Sequence, residues 1–162
     1  MSASLVEPAS SAGVEGGARM SAREYFAALV RHETDLWNAV ERRMRGDGVV
    51  SLARLEVLRV IAAAPDGARV QDVATGVGGS IAAASRLLDR LDADGLLVRA
   101  PDPTDRRSVR SRLSPAGEAA LAAADARFTE ALDAALGHAD AAAISAGIAA
   151  LERMQHALEA GR

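Results

Sequence analysis

Three short blocks of apolar residues at helical spacing lie between Ser51 and Gly95, separated by glycine and proline. Leu52, Leu55, Leu58, Ile61 and Ala62 form the first stripe, which Pro65-Asp66-Gly67 breaks. Val70 to Thr75 is a short second piece closed by Gly76. After Val77-Gly78-Gly79 a third runs from Ser80 to Gly95, with Ile81, Ala84, Leu87, Leu88 and Leu91 on its inward side. Ser51 and Ser80 stand where helix N-caps belong, because a serine oxygen can accept from the free N–H groups of a first turn. Two short helices joined by a tight glycine turn predict a helix-turn-helix.

The flanks extend this pattern. Leu96 to Arg99 and Val109 to Leu113 are strand-like runs on either side of Pro101-Asp102-Pro103-Thr104-Asp105-Arg106-Arg107-Ser108, which predicts a hairpin with a polar, proline-stiffened tip. Before the helix-turn-helix, Phe26, Leu29, Val30, Leu36, Trp37, Val40 and Met44 recur on one helical face from Ser21 to a stop at Gly46-Asp47-Gly48. Behind the hairpin, Ser114-Pro115 opens an alanine-rich helix carrying Leu121, Phe128, Leu132 and Leu136 up to Gly137. Asp140 then starts a last helix with Ile144, Ile148, Leu151 and Leu158. Residues 1–19 show no sustained period and read as a flexible arm. The expected fold class is mainly α: a winged helix at residues 49–113, made of the helix-turn-helix and a two-stranded β wing, flanked by helices at residues 20–48 and 114–162.

Composition narrows the function classes. The only aromatic residues are Tyr25, Phe26, Trp37 and Phe128, so the core is aliphatic and suited to closely packed helices. With no cysteine there is no disulfide, thiol sensor or thiolate metal site. His32, His138 and His156 are scattered without ligand spacing, and no phosphate loop or clustered acid–base set appears, so neither a metal, a cofactor nor an enzyme is expected. No export signal and no run of 18 apolar residues occurs, which predicts a cytoplasmic protein with no membrane partner.

All 19 basic residues are arginine, and the overall net charge is −3. The charge is unevenly spread. Residues 99 to 112 carry five arginines and two aspartates, whereas residues 1 to 98 carry eleven arginines against thirteen acids and residues 113 to 162 three against seven. A local basic segment on an acidic body orients a molecule toward a polyanion without indiscriminate adhesion.

The stretch from Ser51 to Gly117 resembles the MarR family of bacterial transcription factors, most specifically in SRLLDRLDADGLLVR, DPTDRRS and LSPAG. The resemblance implies a homodimeric regulator of duplex DNA with a pseudo-palindromic operator, commonly a repressor, whose N- and C-terminal helices interleave with those of a second copy. The alternative for residues 114 to 160 is an ordinary intramolecular helical hairpin. By position, the recognition helix begins at Ser80, so Ser80, Ala82, Ser85 and Arg86 face base edges and Arg90 lies near the backbone. Ile81-Ala82-Ala83-Ala84 offers no side-chain hydrogen bond, which leaves direct readout to Ser80, Ser85 and Arg86 plus apolar contact with thymine methyls. The competing role for Arg86 is an intramolecular pair with Asp89 or Asp105. At the wing tip the motif implies that Arg106 or Arg107 enters the minor groove while Asp105 holds it, with Arg110 or Arg112 on phosphate.

Family members often take small aromatic or phenolic effectors between the dimer helices and the winged domain. Glu33 and His32 interrupt the apolar stripe around Trp37, a mixture that suits an aromatic ligand with a polar handle, and Arg59 is a candidate anion partner. Against this, a tryptophan on an apolar stripe is commonly core, and Arg54 and Arg59 can equally be surface. A winged helix that binds protein or RNA is the runner-up class, separable by its lack of salt-dependent duplex affinity.

Overall fold

The computed structural model describes residues 21–46, 50–105 and 108–161. The expected N-terminal arm, the Asp47-Gly48 stop and the tip arginines Arg106 and Arg107 lie outside the described residues. The chain divides into two compact units, Met1–Thr34 and Asp35–Arg162.

Helix α1 (Ala22–Met44) runs through that boundary. Its start is fixed locally, where the Glu24 carboxylate accepts from the Ser21 N–H at 2.7 Å and the Ser21 hydroxyl accepts from the Glu24 N–H at 3.2 Å. In the first unit Phe26 and Val30 of the expected stripe are exposed and Leu29 is half-buried.

The second unit holds α2 (Leu52–Ala62), α3 (Val70–Gly76), α4 (Ile81–Ala93), β1 (Leu97–Pro101), β2 (Val109–Leu113), α5 (Pro115–Leu136) and α6 (Ala141–Ala160). Its core joins Leu55, Val57, Leu58 and Ile61 of α2 to Val73 of α3, Leu88 and Leu91 of α4 and Leu97 of β1, with Val40 and Met44 from the end of α1. Leu55 and Leu58 are fully buried, and each contributes about 2 to 3 kcal/mol by leaving water.

Local chemistry sets the boundaries. Ser51 occupies the N-cap position of α2, yet its side chain makes no cap hydrogen bond. The Glu41 carboxylate of α1 accepts from the Leu52 N–H at 2.8 Å instead, and it places a negative charge at the positive end of the helix. Ser80 caps α4 as expected, accepting from the Ala83 N–H at 3.2 Å. Helix α4 ends at Gly95, whose φ of +72° permits the Leu96 N–H to reach Leu91 O and the Gly95 N–H to reach Asp92 O, both at 2.9 Å.

β1 and β2 pair antiparallel in register Leu97↔Leu113 to Pro101↔Val109. Strand β1 runs to Pro101 rather than ending at Arg99, because an edge strand tolerates a residue without an N–H. Ala68 adds a bridge to Ser111, giving at 2.9 Å and accepting at 2.8 Å, and so ties the chain before α3 to the hairpin.

Helix α5 buries Gly117, Ala124 and Ala131, a small residue every seventh position on one seam, and packs along α2 and β2. The chain then bends by 107° into α6, none of whose residues is buried. The apolar residues expected on this helix, Ile144, Ile148, Leu151 and Leu158, are exposed along one side of it. Among the described residues no single helix is long and apolar enough to cross a membrane.

Candidate nucleic-acid interface

Helix α4 presents one face to the core and the other outward. Ala84, Leu88 and Leu91 are buried, Ser85 is half-buried, and Ile81, Ala82, Arg86, Asp89, Arg90 and Asp92 are exposed. The charges on this helix are sorted by their neighbours. Arg99 of β1 reaches Asp89 at 2.9 Å and Asp92 at 3.6 Å, and Arg54 of α2 bonds Asp94 just past the helix end. Among the described residues no carboxylate pairs with Arg86 or Arg90, and the Arg90 Nε donates only to the Arg86 carbonyl at 3.3 Å. The intramolecular pair considered for Arg86 is therefore absent at Asp89, whose carboxylate belongs to Arg99.

The root of the wing is organised by Asp102, which sequence reading did not single out. It is 1% exposed. One oxygen accepts from the Thr104 N–H at 2.8 Å and the Thr104 hydroxyl at 2.6 Å. The other accepts from the Arg69 Nε at 2.7 Å and the Arg110 Nε at 2.6 Å. The Thr104 hydroxyl, then the Thr104 N–H and the two guanidinium groups, hold this carboxyl far below the usual range against the opposing effect of burial. In return Asp102 raises the Arg69 pKa, chiefly through the hydrogen bond between them. A buried carboxylate is tolerated because four donors replace its water.

Arg69 starts α3, where its own N–H donates to Asp72 at 2.8 Å. Arg110 also donates to the Gly67 carbonyl at 3.1 Å. Asp102 thus joins the start of the helix-turn-helix to both strands of the hairpin. The signal available in the sequence was Asp102-Pro103-Thr104, an aspartate two residues before a threonine at a proline turn.

The expected site residues fall into groups. Ser80, Ala82, Ser85, Arg86 and Arg90 share α4, with the Ser80 oxygen engaged in its cap. Ser85 and Asp105 border one groove of about 410 Å³ between α3, α4 and the wing, together with Arg69, Gln71, Arg99 and Ser108. Arg110 and Arg112 lie on one face of β2, opposite Ala100 and Val98. Arg110 is committed to Asp102 and Gly67, while Arg112 is exposed.

Of the candidate ligand residues, Trp37 borders a cavity of about 300 Å³ with Ala53, Glu56, Gly76, Val77 and Leu87. Arg59 is paired with Glu56 at 2.8 Å and Asp125 at 2.6 Å and lies over the Phe128 ring at 4.4 Å, so its charge is already matched. His32 is exposed in the first unit. Among the described residues no group of three or more His, Asp or Glu side chains could hold a metal.

Residues 50–108 match the sequence model of the MarR family. No curated protein matches the chain. Among solved structures the chain is similar to BpsR of Bordetella bronchiseptica, whose DNA binding is regulated by 6-hydroxynicotinic acid. The two share 23% identity over 82% of this chain and 99% of that one, with a TM-score of 0.70. A MarR-family transcriptional regulator from Rhodococcus sp. RHA1 is 20% identical over 85% of this chain and 96% of its own, with a TM-score of 0.73. The transcriptional repressor CouR, a protein of Rhodococcus jostii RHA1, is 26% identical in its structure on a 23-mer DNA duplex, over 82% and 89% of the two chains, with a TM-score of 0.66. Helix order, wing and matched segment agree: the winged helix at residues 50–108 is the part of the chain that matches the MarR-family model.

Proposed function

We propose that the chain is a homodimeric transcriptional regulator that binds a pseudo-palindromic duplex operator, acts as a repressor in the cytoplasm, and loses DNA affinity when a small aromatic ligand binds. The observation that carries the DNA-binding reading is the sorting of charge on α4. Asp89, Asp92 and Asp94 are each bonded to an arginine from another element, while Arg86 and Arg90 keep their charge for an incoming polyanion. Ser80, Ala82, Ser85 and Arg86 meet base edges, Arg90 meets phosphate, and Arg106 or Arg107 enters the minor groove beside Asp105. Arg110 serves this surface as a strut on Asp102, which leaves phosphate contact on that strand to Arg112.

The second copy is supported by α6, a twenty-residue helix whose Ile144, Ile148, Leu151 and Leu158 form an apolar stripe that is exposed among the described residues. Residues 20–48 and 114–162 carry the dimerisation surface in this reading, with the winged domain at 49–113. The effector reading rests on the Trp37 cavity of the second unit. Arg59 would contribute through its Glu56 contact at that cavity rather than as a free anion partner.

Fluorescence anisotropy on duplexes from the protein's own upstream region and on random duplex, over a salt series, tests the reading. Selective upstream binding with a steep salt slope is expected. Equal affinity for both duplexes, or no binding at low salt, would overturn it.

A further inference from the structure

The first turn of α4 carries carbon where a recognition helix usually carries hydrogen-bonding groups. Ile81 is 53% exposed at the first helical residue and Ala82 is exposed beside it. The Ser80 oxygen already accepts from the Ala83 N–H. An exposed isoleucine buries little against its own core and forms helix less readily than alanine, so folding alone does not account for it.

The occupant of this surface follows from what surrounds it. Arg86, one turn beyond Ala82, has no carboxylate partner among the described residues, and the acids farther along the helix are bonded to Arg99 and Arg54. The molecule that docks is therefore anionic, yet meets an aliphatic surface at the helix start. A duplex major groove satisfies both conditions at a pyrimidine bearing a 5-methyl group, which stands among phosphates as the one apolar feature of the groove floor.

We propose that Ile81 and Ala82 read pyrimidine 5-methyl groups, so that the operator half-site is specified at this position by a methyl rather than by a hydrogen-bonding edge. The inference rests on α4 being the recognition helix. It carries a chemical corollary: cytosine C5 occupies the same groove edge as thymine C5, so 5-methylcytosine presents the same contact that thymine does.

The test uses the full chain and its selected operator, with thymine replaced by uracil one position at a time and affinity followed by anisotropy. One or two positions in each half-site should weaken binding about four-fold per methyl removed, roughly fifteen-fold when both half-sites are changed together. At the same positions a 5-methylcytosine·guanine pair should bind about four-fold tighter than a cytosine·guanine pair. Ile81→Ser, at an exposed site, should keep the parental melting temperature and the salt slope while binding uracil and thymine operators nearly alike. Unchanged affinity after uracil replaces every half-site thymine, with selective binding retained, overturns the methyl-reading inference and leaves the operator reading standing. No selectivity for the thymine operator over random duplex overturns both.

Discussion

Replacing Gly117 with alanine puts a methyl group at the point where α5 meets the hairpin. A Cβ built on Gly117 lies 2.0 Å from the Leu96 carbonyl oxygen and 3.1 Å from its carbon. Ordinary contact begins near 3.4 Å, so α5 and the start of β1 must separate by about 1.4 Å. The obstacle is backbone, which has no rotamer to change. The same carbonyl accepts from the Ser114 N–H at 3.0 Å, and Ser114 also donates to Gly95 O at 2.7 Å while accepting from the Gly117 N–H at 3.0 Å. Overpacking costs about 1 to 3 kcal/mol, and losing one or two of these bonds adds about 1 kcal/mol each. Alanine's better helix propensity returns about 1 kcal/mol. The net is a destabilisation of about 1 to 4 kcal/mol, a fall in melting temperature of roughly 2 to 16 °C for a chain of this size. Urea and thermal unfolding followed by circular dichroism measure it. A Gly117→Ala protein as stable as the parent would refute the close approach of α5 to Leu96 and, with it, this account of the Ser114-Pro115-Ala116-Gly117 sequence.

Gly147, inside α6, has nothing within 4 Å of an added Cβ, so Gly147→Ala should raise stability by up to about 1 kcal/mol in the same assay; a loss would mean that another surface lies against it. Ile148→Glu, on the exposed stripe of α6, should shift the protein from dimer to monomer in sedimentation velocity, and an unchanged dimer would place the interface elsewhere. Arg99→Ala should unmask Asp89 and Asp92 and weaken operator binding about ten-fold at low salt with little change in melting, because exposed ion pairs contribute about 1 kcal/mol or less to stability; unaltered binding would remove the charge-sorting argument. Asp102→Asn tests the wing root through pH. The folded carboxyl titrates below its ordinary value of 3.8, so its stabilising contribution is complete above about pH 4 and is lost as pH falls below that. The melting temperature of Asp102→Asn should lie below the parent's at neutral pH, with the gap narrowing steadily as pH falls below about 4. A constant gap would show that the charge is not what holds the root.

The elements of the winged domain were legible because each is announced by backbone chemistry acting over a few residues. Gly95 can enter a positive φ, Ser80 and Ser114 accept from the first turn behind them, and apolar spacing fixes which face of α4 turns inward. The capping of α2 was not legible, since the group that caps Leu52 is Glu41, eleven residues away on another helix. Nor was the fate of the apolar stripes. Periodicity reports that Ile144, Ile148 and Leu151 share a face, but whether that face meets the chain's own core depends on the 107° bend after Leu136. The small residues of α5 answer to both descriptions, and Gly117, Ala124 and Ala131 are buried on a helix that packs along α2 and β2 within the chain.

Arginine roles were the least legible part of the site, and the reason is physical. A guanidinium carries the same charge and the same fork of donors whether it serves as a strut or as a contact, so the distinction belongs to whichever carboxylate folding brings near. Asp102 lies 33 residues from Arg69 and 8 from Arg110 in the chain, and it commits both. Asp125 commits Arg59 from 66 residues away, and Arg99, in the most basic stretch of the sequence, is paired with Asp89 and Asp92. Among the described arginines of the winged domain, those left without a carboxylate partner are Arg86, Arg90 and Arg112. A count of basic residues therefore locates the polyanion surface only in outline. In a chain with net charge −3, affinity for DNA depends less on how many arginines there are than on which acids have been removed from competition, so masking an acid at Arg99 matters to binding as directly as presenting a cation at Arg86.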